Sequence, residues 1–439
     1  MTSAPDPISI AIVGCGGMGN RHLLGLVEHA RAVAGRDGAP AFRLVAVCDP
    51  NDANGNLLAD TAASELGERP AVFRDTRALI DGTPHLDAVD ITTEPRLHEA
   101  IAVEFLGAGA HALVEKPMAL TVGGCTAIMR AAGASGRVVC VAENYRFDPL
   151  VRLTRALLDA GAIGDPWMLV DASISSGGRI VITPWRHLRL YGGTLLDVGV
   201  HNVDLMHHAF GPVTTVRATV KLLDRVRTGM RPQGRPGREA SPGAIYALTN
   251  ANLEVPRMVE PDVEDTAFAI LGFERGVIGH WTLSHAGHGT GFGRKQYFGS
   301  RGSMEPAPPR TGNGPRVWVD GSAEPLAVDA LLEMVPDWKV DASTANLFGG
   351  ERLGGYAFDS MAIDRKIQAA VYADFGRAIA TGQAPEVGGA EGRHAVAVVN
   401  AMFESSLLGR PVSVAEVEAG LPAVSAWQEA LDRDLGVAR

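Results

Sequence analysis

An aspartate and a histidine four residues apart, Asp197 and His201, stand in the stretch YGGTLLDVGVHNVD from Tyr191 to Asp204. On a 3.6-residue helix that spacing puts a carboxylate and an imidazole on one face, about 6 Å apart along the axis. Such a pair can take a proton from a hydroxyl group, the imidazole accepting it and the acid orienting the ring. Gly192 and Gly193 leave the backbone at the helix entrance open to a ligand. The same letters also spell a capping box, with Thr194 as the cap and Asp197 reaching back to a free N–H, and the spacing leaves both readings open. Lys116 could complete the chemistry. It lies in Glu115-Lys116-Pro117, directly after the apolar run Ala112 to Val114. At a strand end, burial and a neighbouring positive ring would lower its pKa, and its ammonium could donate to a substrate hydroxyl and steady a developing alkoxide. A solvated lysine before a proline that fixes the loop is the plainer alternative.

These groups need a frame. Ile8 to Val13 is a short apolar run, followed by GCGGMG at Gly14 to Gly19 and a helical pattern from Asn20 to about Ala34. In that strand-turn-helix setting Gly14 makes the tight turn, Gly16 admits a pyrophosphate and Gly19 lets helix and strand pack closely. The second strand, Phe42 to Cys48, ends in Asp49, where a carboxylate would accept hydrogen bonds from a ribose and repel a 2′-phosphate, favouring NAD over NADP. Strands near Ala71 to Phe73, Ala88 to Thr92, Ala112 to Val114 and Val138 to Ala142 alternate with helical stretches, which predicts a doubly wound parallel sheet of the α/β class. Ligands in such sheets lie beyond the carboxyl ends of the strands. That rule singles out Thr92 and Thr93 with His98 a turn later, Glu115 and Lys116, and the run Glu143-Asn144-Tyr145-Arg146.

Beyond this, Val151 to Ala160 reads as a crossover helix, and strands at Pro166 to Ser176, Val213 to Leu222, Thr266 to Phe273 and Val277 to Ser284 imply a large, mainly antiparallel sheet in an α+β unit. Two domains are expected, 1–145 for the dinucleotide and 146–439 for substrate and assembly, with irregular insertions near 225–262 and 305–355. Trp185 and Arg186 precede the helix of Asp197 and could line a sugar pocket, one offering a ring face and the other a guanidinium. A structural Trp-Arg stack explains them equally well.

Composition excludes several classes. Fifty acidic against forty basic side chains give a net charge of -10, which argues against a nucleic-acid or anionic-membrane partner. The basic stretch Arg225 to Gly243, RVRTGMRPQGRPGREASPG, reads as a long surface loop. No run of about 18 apolar residues and no basic start before an apolar core is found, so a cytoplasmic protein is expected. Cys15, Cys48, Cys125 and Cys140 form no CxxC pair, and buried free thiols are expected rather than disulfides or zinc. His285 and His288 lack a third ligand nearby, so no metal is expected.

Taken together, GCGGMG, Asp49, the EKP at Glu115 to Pro117 and GGTLLDVGVH at Gly192 to His201 resemble the Gfo/Idh/MocA family of NAD(P)-dependent oxidoreductases, which includes inositol and sugar dehydrogenases. TTEPRLHEA at Thr92 to Ala100, ENYRF at Glu143 to Phe147 and the segment EDTAFAILGFERGVIGHWTLS extend the likeness over most of the chain. The resemblance implies a catalytic set of Lys116, Asp197 and His201. Cofactor contacts are expected from Gly14, Cys15, Gly16, Gly17, Met18, Gly19, Asp49, Thr92, Thr93, His98, Glu115, Lys116 and Asn144, and Arg146, Trp185 and Arg186 could join the catalytic three around the substrate. One departure stands out, since the family's usual TPN is Thr92-Thr93-Glu94 here. A homodimer or homotetramer is implied, because a second subunit often covers the sheet. The expected activity is NAD-dependent oxidation of a secondary hydroxyl on a sugar, cyclitol or glycoside. A redox-neutral NAD-dependent glycosidase or lyase and a non-catalytic nucleotide-sensing regulator are the alternatives.

Overall fold

A computed structural model describes residues 6–34, 41–229 and 258–437. Residues 35–40 and most of the insertion expected near 225–262 lie outside these residues. The chain begins β1 (Ile8–Val13), α1 (Gly17–Val33), β2 (Phe42–Cys48), α2 (Asp52–Leu66), β3 (Ala71–Phe73), α3 (Thr76–Gly82), β4 (Ala88–Ile91), α4 (Pro95–Gly107), β5 (His111–Val114), α5 (Val122–Ser135) and β6 (Val139–Val141). The six strands are parallel in the order β3-β2-β1-β4-β5-β6. β4 and β5 are buried along their whole length, as strands covered by helices on both faces must be. The order reverses at β1 and β4, and a crevice opens there beyond the strand ends.

After α6 (Pro149–Asp159) the chain builds a second sheet from β7 (Pro166–Ser176), β8 (Val213–Lys221), β11 (Thr266–Phe273), β12 (Ile278–Gly287), β13 (Phe292–Gly299), β14 (Gly302–Glu305), β15 (Arg316–Val319) and β16 (Val412–Ser413). A small separate pair is formed by β9 (Arg227–Thr228) and β10 (Met258–Val259). The large sheet has the order β15-β14-β13-β7-β12-β11-β8-β16 and is antiparallel except between β7 and β12. Along β11, Ala267, Ala269 and Leu271 are buried while Phe268 and Ile270 are exposed, the period-2 alternation of a sheet with one face on a core. α7 (Gly193–Phe210) lies on the inner face. At Gly199 a Cβ would come within 2.9 Å of the buried Trp281 ring on β12. Glycine therefore lets α7 settle onto the indole, and this contact sets the depth at which Asp197 and His201 sit.

The stretch 305–355, expected to be irregular, contributes β15 and two short helices, α8 (Val328–Glu333) and α9 (Ala342–Phe348), and joins the core through Val317, Leu331 and Phe348. Elements of four to seven residues are too brief to show a period in the sequence. α10 (Ser360–Thr381) then crosses back to the parallel sheet and packs on α1, bringing Tyr372 and Phe375 against Phe42. α11 (Gly389–Leu408) lies between α7, β8 and α5, and α12 (Val414–Glu418) and α13 (Ala426–Asp434) close the chain. All four cysteines are buried and none forms a disulfide. Among the described residues no helix is long and apolar enough to cross a membrane.

Candidate active site

The glycine turn is held from four directions. Gly14 has φ +98°, and a Cβ at Gly19 would fall 2.1 Å from the Gly14 carbonyl oxygen. Thr92 Oγ1 donates to that same carbonyl at 2.6 Å. Asn20 Nδ2 donates to the carbonyls of Cys15 and Gly16 at 3.0 and 2.9 Å. Asp49 accepts from the N–H groups of Cys15 and Asn51, each at 2.8 Å. A side chain at Gly16 would meet nothing within 4 Å, and α1 starts with neither a side-chain cap nor an acidic residue in its first turn. That combination leaves the helix N-terminus open and complementary to a pyrophosphate. The adjoining cleft, about 620 Å³, runs from Gly14, Gly16 and Met18 past Asp49, Thr92 and Thr93 to Lys116, Trp185, Arg186 and Asp197.

Several expected contacts sit differently from their sequence reading. The Cys15 thiol is fully buried, so only its backbone faces the turn. His98 is fully buried, with Nδ1 2.8 Å from the Pro117 carbonyl and Nε2 3.1 Å from that of Thr93; it ties two loops together beneath the cleft. Glu115 reaches the rim, but its carboxylate accepts from His22 Nε2 at 3.0 Å and from the Lys116 N–H at 2.9 Å. His22 carries Asp90 on its other nitrogen; burial opposes its charge, yet Asp90 and Glu115 hold it up at about 10. Asn144 is buried with Oδ1 unpaired. Arg146 is not free for a substrate: it makes a bidentate pair with Asp204 of α7 at 2.9 and 2.5 Å, both side chains buried. Glu94, the departure from TPN, pairs with Arg96, whose guanidinium lies 4.7 Å over the Tyr191 ring at the cleft mouth.

The chemical end is a side-chain network spanning both sheets. Lys116, whose peptide bond to Pro117 is cis, donates from Nζ to Asp197 Oδ1 at 2.9 Å and to the Asp197 carbonyl at 2.7 Å. Arg186 Nε takes the other carboxylate oxygen at 2.7 Å, while its guanidinium stacks 4.3 Å over Trp185. With both oxygens engaged, Asp197 makes no hydrogen bond to His201 among the described contacts, and the expected Asp197–His201 pairing gives way to a different one. His201 Nδ1 lies 2.5 Å from Glu143 Oε1, and its ring stacks on Tyr145 at 4.2 Å. The capping box is also absent. Gly192, at φ +95°, precedes α7, and the N–H of Leu195 is satisfied by Glu264 Oε1 at 2.7 Å.

Electrostatics follow from those partners. Burial works against the charge on Lys116, but Asp197 and then Glu115 outweigh it, so its pKa is raised rather than lowered as the sequence suggested. Burial also opposes ionisation of Asp197, yet Arg186 and Lys116 bring it well below the usual carboxylate range. Burial lowers His201 to about 3, helped by Lys116, and raises Glu143 to about 8. The site thus presents a charged ammonium on the cleft wall and, on the same helix as Asp197, an imidazole whose burial favours the neutral form. Among the described residues no cluster of three or more metal-ligating side chains occurs.

Residues 8–143 match the family profile described as an oxidoreductase family with an NAD-binding Rossmann fold, and residues 151–305 match the GFO/IDH/MocA C-terminal domain. Inositol 2-dehydrogenase 2 of Saccharopolyspora erythraea is 26% identical over 365 residues, covering 81% of this chain and 91% of its own. Levoglucosan dehydrogenase of Pseudarthrobacter phenanthrenivorans is 26% identical over 286 residues, 64% of this chain and 68% of its own. Among solved structures, an NAD-binding oxidoreductase from Klebsiella pneumoniae superposes with a TM-score of 0.72 at 20% identity, over 93% of this chain and 99% of that one. A levoglucosan dehydrogenase in complex with NADH and levoglucosan gives 0.68 at 22% identity, over 93% and 100%. The two profiles together span more than half of the chain, and the chain belongs to the Gfo/Idh/MocA family of oxidoreductases.

Proposed function

We propose that this protein is an NAD-dependent dehydrogenase that oxidises a secondary hydroxyl of a sugar or cyclitol. The observation that carries the reading is Lys116, an ammonium buried at the end of the cleft and locked by two hydrogen bonds to Asp197 one turn from His201. NAD, when bound, supplies the hydride acceptor. The turn from Gly14 to Gly19, Asp49, Thr92 and Thr93 would hold it, with Asp49 toward the adenosine ribose. Lys116 donates to the reacting oxygen and stabilises the alkoxide, and His201 Nε2 takes the hydroxyl proton. Asp197 keeps Lys116 charged and aimed, with Arg186 as its second anchor. Trp185 offers a ring face to the apolar side of a pyranose. The dehydrogenase names among the relatives support a sugar or cyclitol as the substrate class. Purified protein incubated with NAD and a panel of sugars, cyclitols, sugar acids and glycosides should produce NADH absorbance with at least one of them. A cofactor that is held tightly while no panel member yields NADH would count against net oxidation.

Assembly belongs to the same reading. Met168, Phe268, Ile270 and Ile278 are about half or more exposed, at 48%, 48%, 49% and 60%, on the large sheet; the register pairs Ile278 with Met168, and Phe268 and Ile270 lie on the neighbouring strand β11. A second copy of the chain covering that face makes a homodimer or, by repetition, a homotetramer.

A further inference from the structure

The proton taken by His201 needs a destination, and Asp197 is fully committed elsewhere. We propose that Glu143 is the positioning residue of His201, and that the two together form the unit that stores the proton released on oxidation; this rests on the dehydrogenase reading above. The geometry is that of an acid-histidine dyad. Glu143 Oε1 is 2.5 Å from His201 Nδ1, Glu143 is buried, and Tyr145 stacks on the ring and fixes its plane. An acid that accepts from Nδ1–H leaves Nε2 as the proton acceptor. In the reaction the carbon-bound hydrogen leaves with its electron pair to the nicotinamide, and the hydroxyl proton goes to Nε2. The Nδ1 proton stays in the hydrogen bond to Glu143 or moves onto its carboxylate. The pair thereby gains one proton and returns it to solvent before the next turnover.

The surroundings set when the pair is loaded. His201 faces Asp197 and Asp204 from its own helix, Lys116 and Glu115 from the loop after β5, and Arg310 from the chain after β14. Glu143 faces Lys116, Glu115 and Arg146, and Asp204 from α7. Burial lifts Glu143 to about 8 and takes His201 to about 3, so below about pH 8 the pair holds one proton beyond the imidazole's own N–H. Loaded in this way, it cannot accept another from the substrate. Sugar oxidation therefore rises as pH increases through about 8.

The test is Glu143→Gln in the full chain, with Glu143→Asp beside it. Imidazole nitrogen NMR of the protein without cofactor should show His201 shifts changing with a midpoint near pH 8 in the native chain and no such transition in Glu143→Gln. Oxidation should fall about 10²-fold with the KM for NAD unchanged, and the rising limb of the pH profile should disappear. Glu143→Asp should restore part of that limb. A His201 titration that is the same in the native chain and in both variants overturns the proposal. The NMR arm does not depend on turnover. If the transition is lost in Glu143→Gln while no sugar is oxidised, the dyad stands and the dehydrogenase reading falls; NADH formation with an unaltered limb in Glu143→Gln does the reverse.

Discussion

The two ends of the cleft are built from different materials. The nucleotide end is made of backbone: Gly14 and Gly19 in contact, an uncapped helix N-terminus, and the side chains of Thr92, Asn20 and Asp49 bonded to main-chain atoms of the turn. The chemical end is made of side chains that reach one another from the loop after β5, the loop after β6, the turn before α7 and α7 itself. A backbone site tolerates almost any neighbour but no Cβ where main-chain atoms meet, as at Gly14 and Gly19. A side-chain network tolerates changes of backbone but not the loss of one charge. Substitutions at the two ends should therefore fail in different ways, the first through cofactor affinity and the second through turnover and pH dependence.

Lys116→Met should show the difference most sharply. Removing the ammonium proposed to face the reacting oxygen should lower kcat about 10³-fold, while NAD affinity followed by fluorescence titration changes little. Asp197→Asn comes next. It leaves Lys116 and Arg186 buried beside a neutral amide, and loss of one partner of a buried ion pair costs about 3–5 kcal/mol, visible as a lower Tm. The carboxylate now raises Lys116; without it the lysine pKa falls, and activity should gain a descending limb on the alkaline side as the ammonium is lost earlier. A variant with unaltered alkaline behaviour would break the claim that Asp197 holds the lysine charged. Gly19→Ala puts a methyl group against the Gly14 carbonyl and should weaken NAD binding at least about tenfold, with kcat at saturating NAD largely kept. The mildest effect on chemistry is expected from Ile278→Arg on the outer sheet face, which should prevent the proposed association of copies in light scattering and leave kcat close to native.

The same contrast explains what was legible in the sequence. β1, β2, β3 and β7 coincide with their apolar runs, and the glycine motif marks its own geometry because only glycine fits there. α1 starts at Gly17 rather than Asn20, since the anchored turn, not residue propensity, decides where the helix begins. α5 carries only a weak helical signal of its own because VGGCTAIMRAAGAS is rich in small residues and has two glycines where a periodic stripe would start. At the chemical end the positions of Lys116, Asp197, His201 and Glu143 could be read from strand ends and helix spacing, but their partnerships could not. The i, i+4 spacing suggested Asp197 beside His201, yet the carboxylate is claimed by two cations from distant segments, and Glu143 is 58 residues from the histidine it contacts. The sign of the Lys116 shift was misread for the same reason, because burial can be guessed from a strand end whereas the counter-charges cannot. Arg146 looked available until Asp204 was seen beneath it.

The convergence of Lys116 and His201 on one oxygen is tested most directly by a crystal structure of the protein with NADH and a sugar that it oxidises. The account predicts a single substrate hydroxyl within about 3.2 Å of both Lys116 Nζ and His201 Nε2, beside the nicotinamide. A substrate bound with those two groups facing separate cavities, or a nucleotide lying away from the glycine turn, would contradict it.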